Sequence, residues 1–158
     1  MSHKGLYYRI RAAVTGAAIC LVLMYSYIGF VSFDSSHLLT DDKKRILSWF
    51  IALMGTAIPL IVAIIFAWKI SCMVKEDKTF SDKTAFLLKG ISNCAFIDGI
   101  YFLVVNIVMI FLDYNHPAIV IISFAAISLT LAAGMAFTAL ARFVQKAADL
   151  QKESDLTI

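Results

Sequence analysis

The chain has 158 residues, 61% of them hydrophobic, with a formal net charge of +3 and a mean hydropathy of +0.83. That apolar share exceeds the ~45–50% of soluble domains and excludes a water-soluble globule, whose surface would carry apolar patches that water does not tolerate. The length fits one compact helical domain without a second, and no basic run interleaved with aromatics asks for direct nucleic-acid binding.

The first apolar stretch runs over residues 12–33 and follows Lys4, Arg9 and Arg11. It is too long for a signal-peptide core and has no small-x-small cleavage site, so it reads as a retained helix. Tyr25, Tyr27, Phe30 and Phe33 gather towards its far end, as interfacial aromatics do. A polar break with Asp34, Asp41 and Asp42 leads to the second stretch, residues 46–68. Trp49 and Trp68 bracket it, ~28 Å apart along a helix and close to the ~30 Å hydrocarbon thickness. Pro59 lies mid-span, one turn after Gly55, and predicts a kink.

The second break, residues 69–90, reads as a helical hairpin standing beyond the membrane. Residues 69–75 extend the second helix, residues 76–79 turn, and Ser81 caps a new helix starting at Asp82, whose carboxylate suits a helix N-terminus. The third stretch, 91–112, is interrupted by Asn93, Asp98 and Asn106. The third break, 113–117, holds neither Lys nor Arg. The fourth stretch, 118–141, carries Ala126, Thr130, Gly134 and Thr138 at four-residue spacing. Such a small-residue row admits a close helix neighbour, either inside one four-helix bundle or as the seam of a homodimer through the fourth span. From Arg142 to Glu153 the helix continues, with Phe143, Ala147 and Leu150 on one face that calls for a partner.

Basic residues orient the chain. The N-terminus, the second break and the tail hold all Lys and Arg except Lys43, Lys44 and Arg45. The positive-inside rule then places both termini and the hairpin in the cytoplasm. The expected architecture is all-α: a polytopic membrane four-helix bundle, one domain over 1–158, with a cytoplasmic hairpin (69–90) and tail (142–158).

Asp98 is the one acidic residue deep in a span, ~12 Å along the helix from Gly90. A carboxylate there is costly and is expected to face the bundle and find a partner. With Asn93 and Asn106 it defines a polar stripe, and Arg142 or Lys69 at neighbouring helix ends would answer it. A structural ion pair or hydrogen bond is one reading; a proton- or cation-coupled site is the other. Cys20 and Cys94 read as small buried hydrophobes and Cys72 as the accessible thiol. His3, His37 and His116 are isolated. No phosphate-binding glycine loop and no H-E-x-x-H occur, so neither an enzyme, a cofactor nor a metal is expected.

Two segments carry a resemblance. Glu76-Asp77-Lys78-Thr79-Phe80-Ser81, followed by Leu87-Leu88-Lys89-Gly90-Ile91, is one; the tail from Ala147 through Lys152-Glu153-Ser154-Asp155-Leu156-Thr157-Ile158 is the other. Together they resemble a family of small four-span bacterial membrane proteins designated domain of unknown function 2975. Its members carry a short loop ending in Phe-Ser after the second span and a Lys-x-Glu-Asn-Asp-Leu-Thr-Ile/Val tail. Ser154 stands here in place of the usual Asn. The resemblance implies a bacterial cytoplasmic-membrane protein, and a cytoplasmic partner such as a helix-turn-helix regulator. It points to Phe80, Ser81, Glu153, Asp155, Leu156, Thr157 and Ile158 as an interaction surface. The functional expectation is a non-enzymatic interaction or signalling component working through hairpin and tail. The alternatives are a small transporter or channel subunit using Asp98, and a membrane immunity or stress-protection protein.

Overall fold

The computed structural model describes residues 3–34, 40–75 and 81–156. Four helices fill them: α1 (His3–Asp34), α2 (Thr40–Lys75), α3 (Asp82–Phe111) and α4 (Pro117–Leu156). All four are long and apolar enough to cross a membrane. The fold is thus an all-α four-helix membrane bundle, and its helix lengths follow from long apolar runs between polar breaks. Pro59 sits inside α2, which remains one helix. At 1.5 Å per residue the 40 residues of α4 span ~60 Å, about twice the hydrocarbon core.

Each helix packs on its neighbour in sequence: α1 on α2, α2 on α3, α3 on α4. Among the described residues, the backbones of α1 and α4 do not approach each other. The helices therefore form an open row with α1 and α4 at its edges. Polar contacts fix which ends meet. Arg11 lies over the Trp68 ring, 4.8 Å from its centroid, joining the start of α1 to the far part of α2. Trp49 Nε1 donates to the Tyr114 carbonyl at 3.4 Å, joining the start of α2 to the α3–α4 turn. The hairpin and the far end of α4 share the first of these ends.

The α3–α4 turn is closed by a residue in the left-handed region. Asp113 has φ 57; its N–H donates to Ile110 O at 3.1 Å and the Tyr114 N–H to Met109 O at 3.0 Å. Both bonds satisfy carbonyls that the end of α3 leaves open. Pro117 then starts α4 with a fixed φ and no N–H to leave unpaired, while His116 Nδ1 accepts from the Ala118 N–H at 3.3 Å.

The α3–α4 seam is the tightest. Gly134 is buried, and a Cβ there would sit 3.4 Å from Ala95 and Phe96. Ser92 Oγ donates to the Gly134 carbonyl at 2.8 Å and lies 2.6 Å from Thr138 Oγ1. Thr130 abuts the Gly99 position. Three members of the small-residue row thus pack on α3 within the chain, while Ala126 is exposed.

Candidate functional site

The hairpin end is built first by local signals. Ser81 caps α3 as its sequence requires: the side chain accepts from the Thr84 N–H at 3.3 Å. The cap directs the first turns of α3 against the overrun of α4. Ala85, Leu88, Ala141 and Val144 form a buried apolar cluster there, flanked by Ile70 of α2 and Phe137 of α4. Ala148 continues the buried face of α4. The face expected from sequence, Phe143-Ala147-Leu150, is not the one that packs: Phe143 and Leu150 are both exposed. Smaller residues win because they let the α4 backbone come close to α3.

Polar groups finish the joint. Asp82 Oδ2 accepts from Lys152 Nζ at 2.6 Å and Asp82 Oδ1 from Gln145 Nε2 at 2.8 Å. The hydrogen bond from Lys152, then that from Gln145, holds the Asp82 carboxyl below its ordinary range. The same bond raises the Lys152 ammonium above its own. The pair is exposed and ties down the geometry more than it adds stability.

Beside this joint lies a cleft of about 670 Å³ between α2 and α3, lined by Lys69, Cys72, Met73, Asp82, Lys83, Phe86 and Leu87. Phe86 is 72% exposed. An apolar floor beside two lysines can hold a side chain of another protein. Sequence reasoning singled out neither Phe86 nor Met73, although both lie next to the segments it did single out. Of the expected surface, Ser81 is the cap and Glu153 is exposed on α4. Leu156 closes α4 as a helical residue instead of opening an extended end, and Asp155 shares that last turn. Phe80, Thr157, Ile158, His37 and the turn at 76–79 lie outside the described residues.

The intramembrane polar stripe resolves into three unrelated environments. Asn93 is exposed. Asn106 is buried (2% exposed); its Nδ2 donates to Phe102 O at 2.9 Å, and its Oδ1 accepts from Asn115 Nδ2 at 3.4 Å. It thus braces α3 to the α3–α4 turn. Helical geometry explains the split: five residues from Asn93 to Asp98 turn the face by roughly 140°.

Asp98 lines a cleft of about 350 Å³ walled by all three of α2, α3 and α4, through Pro59, Leu60 and Ala63, Cys94 and Ala95, and Leu129, Thr130 and Phe137. Its Oδ1 is buried and has no hydrogen-bond partner among the described residues. The expected cations do not reach it. Arg142 is twelve residues along α4 from Thr130, ~18 Å, and opens onto other grooves. Lys69 lines the hairpin cleft. Cys72 is exposed, as expected; Cys94 is half-buried on the Asp98 cleft, and Cys20, expected to be buried, is exposed on α1, whose backbone among the described residues approaches only α2.

Comparison with known proteins agrees with this architecture. The family described as "Protein of unknown function (DUF2975)" matches residues 17–158, from within α1 through the whole tail. The chain is also similar to a Bacillus subtilis (strain 168) protein described as "Uncharacterized membrane protein YoaS", with 30% identity over 112 residues covering 69% of each chain. No solved structure matches. The protein is multi-pass, its four helices and its relative both being of the membrane, and it belongs to the DUF2975 family.

Proposed function

We propose that the protein is a non-enzymatic interaction or signalling component of the bacterial cytoplasmic membrane, working through its hairpin and C-terminal helix on the cytoplasmic side. The observation that carries the reading is the packed helical joint beyond the apolar spans, with its exposed Phe86 cleft. A bilayer needs ~20 residues per helix; α2, α3 and α4 have 36, 30 and 40. The excess forms a buried cluster of its own, and beside it an apolar cleft rimmed by cations. Orientation rests on the concentration of Lys and Arg at this end. A soluble regulator of helix-turn-helix type, offering an acidic and apolar helix face, suits the cleft.

A photo-crosslinking residue at Phe86, in the full chain in its native membrane, tests the reading. The expected result is one discrete adduct, identified by mass spectrometry as a cytoplasmic protein and lost when the last six residues are deleted. The same crosslinker at Phe33 serves as the control. No adduct at Phe86, or the same adducts from Phe33, rejects it.

A second reading is favoured by one observation, the unpartnered Asp98 Oδ1 in a three-helix cleft. A lone carboxylate among apolar walls is the minimum for a proton- or cation-coupled site. Proteoliposomes of the wild type should then carry a proton or cation current that Asp98→Asn abolishes. An Asp98→Asn current equal to wild type removes this reading and leaves the first untouched.

A further inference from the structure

The α3–α4 seam carries a second feature at the same end of the row, distinct from the hairpin cleft. A groove of about 610 Å³ runs along α4, and its lining changes character along its length. Met135 and Ala139 of α4, with Phe96 of α3, line the stretch inside the apolar span. Arg142 and Lys146 line the stretch beyond it, with Phe143 at the junction. From Met135 to Lys146 is ~16 Å along the helix, so the groove reaches from the apolar span across a headgroup region of ~5–8 Å. Arg142 also borders a neighbouring groove of about 540 Å³, in which it meets Lys89 of α3. Arg142 thus borders both grooves, with Lys146 on one and Lys89 on the other, where both apolar spans end.

None of the three is spent on a protein carboxylate. Among the described residues, Lys89, Arg142 and Lys146 form no ion pair. Asp82, on the neighbouring groove, is already held by Lys152 and Gln145, and Asp149, one turn beyond Lys146 on α4, accepts from Gln145 Nε2 at 3.2 Å. Unpaired cations beside an apolar channel at the bilayer boundary complement a ligand that is anionic at its head and apolar below it. Arg supplies the planar fork that matches phosphate oxygens, and Lys two further point charges.

We propose that this groove is a binding site for an anionic phospholipid. Arg142 and Lys146 take the phosphate, Lys89 on the neighbouring groove adds positive charge beside it, and Phe96, Met135 and Phe143 line the path of an acyl chain. The site reassigns Arg142, which faces the lipid boundary instead of Asp98, and it is independent of the hairpin reading.

Native mass spectrometry of the full-length protein, released from neutral maltoside micelles, tests it. Phosphatidylglycerol should be retained about tenfold or more over phosphatidylcholine, and the Arg142→Gln/Lys146→Gln double variant should lose that preference. Lys43→Gln/Lys44→Gln, with charges removed at the opposite end, should keep it. Ala139→Trp fills the groove from an exposed position without touching a charge and should also lose the lipid, so the test stands even if the double variant misfolds. Glycerol 3-phosphate should not be retained. Equal retention of phosphatidylcholine, an unchanged double variant, an unchanged Ala139→Trp, or tight binding of glycerol 3-phosphate alone would each overturn the proposal.

Discussion

At the residue scale, the chain separates polar groups by the partners they find. Asn106 and Ser92 sit in the membrane with their hydrogen bonds made, and such groups act as interhelical glue. Asp98 keeps a buried oxygen without a hydrogen-bond partner among the described residues, a cost of about 1–3 kcal/mol for a polar group. Asp98→Leu is therefore expected to raise the melting temperature in detergent, by an amount equivalent to about 1–3 kcal/mol; a lower melting point would mean that the carboxyl is structurally satisfied. Asp82 behaves in the opposite way. Its carboxyl is held below the ordinary range by Lys152 and Gln145, so its contribution is present above that range and is lost as pH falls through the depressed value. A carboxyl-carbon NMR titration should place the Asp82 midpoint lower in the wild type than in Lys152→Gln, and equal midpoints would refute the link. That Asp98 is an intrusion was legible from composition along the span. Its lack of a partner was not, because distance along neighbouring helices decides what a side chain reaches.

At the scale of elements, close helix approach is carried by particular small residues. Gly90 lies under the Phe66 ring: a Cβ there would come to 2.5 Å from Cε2. Gly55 lies under Tyr101, whose hydroxyl donates to Ala52 O at 3.0 Å. Ala at either position gains about 1 kcal/mol of helix propensity but displaces a ring wedged between helices, at about 1–3 kcal/mol. Gly90→Ala and Gly55→Ala are expected to lower the melting temperature. Gly16→Ala, with nothing within 4 Å, should raise it; the same sign at all three sites would contradict the packing described here. The Ser81 cap and the helical overruns were readable directly, since capping and helix formation are local. The packed face of α4 was not. Phe143 and Leu150 are the more hydrophobic choice, but burial goes to Ala141, Val144 and Ala148, whose smaller side chains let the two backbones approach.

At the scale of the whole molecule, 10,949 Å² of accessible surface compares with about 7,900 Å² for a soluble globule of this mass. The excess comes from helices whose backbones, among the described residues, approach only their sequence neighbours, and which leave apolar faces to lipid. Orientation is testable through the thiols, of which Cys72 is exposed beside the hairpin. A membrane-impermeant maleimide should label Cys72 in inside-out vesicles and not in intact cells, with Cys20 protected by lipid in both; labelling of Cys72 in intact cells would reverse the proposed topology. The sequence by itself determined the solvent, the number of spans, the helical overruns and the family, because hydropathy, charge asymmetry and caps are read over short windows. Only the tertiary structure decided that the row is open, that the hairpin and α4 are joined through Asp82, that Arg142 opens onto grooves away from the Asp98 cleft, and that Asp98 Oδ1 has no hydrogen-bond partner among the described residues. Those outcomes depend on which helix lies beside which and at what height. In a membrane, where nearly every face is apolar, no hydrophobic pattern records that choice.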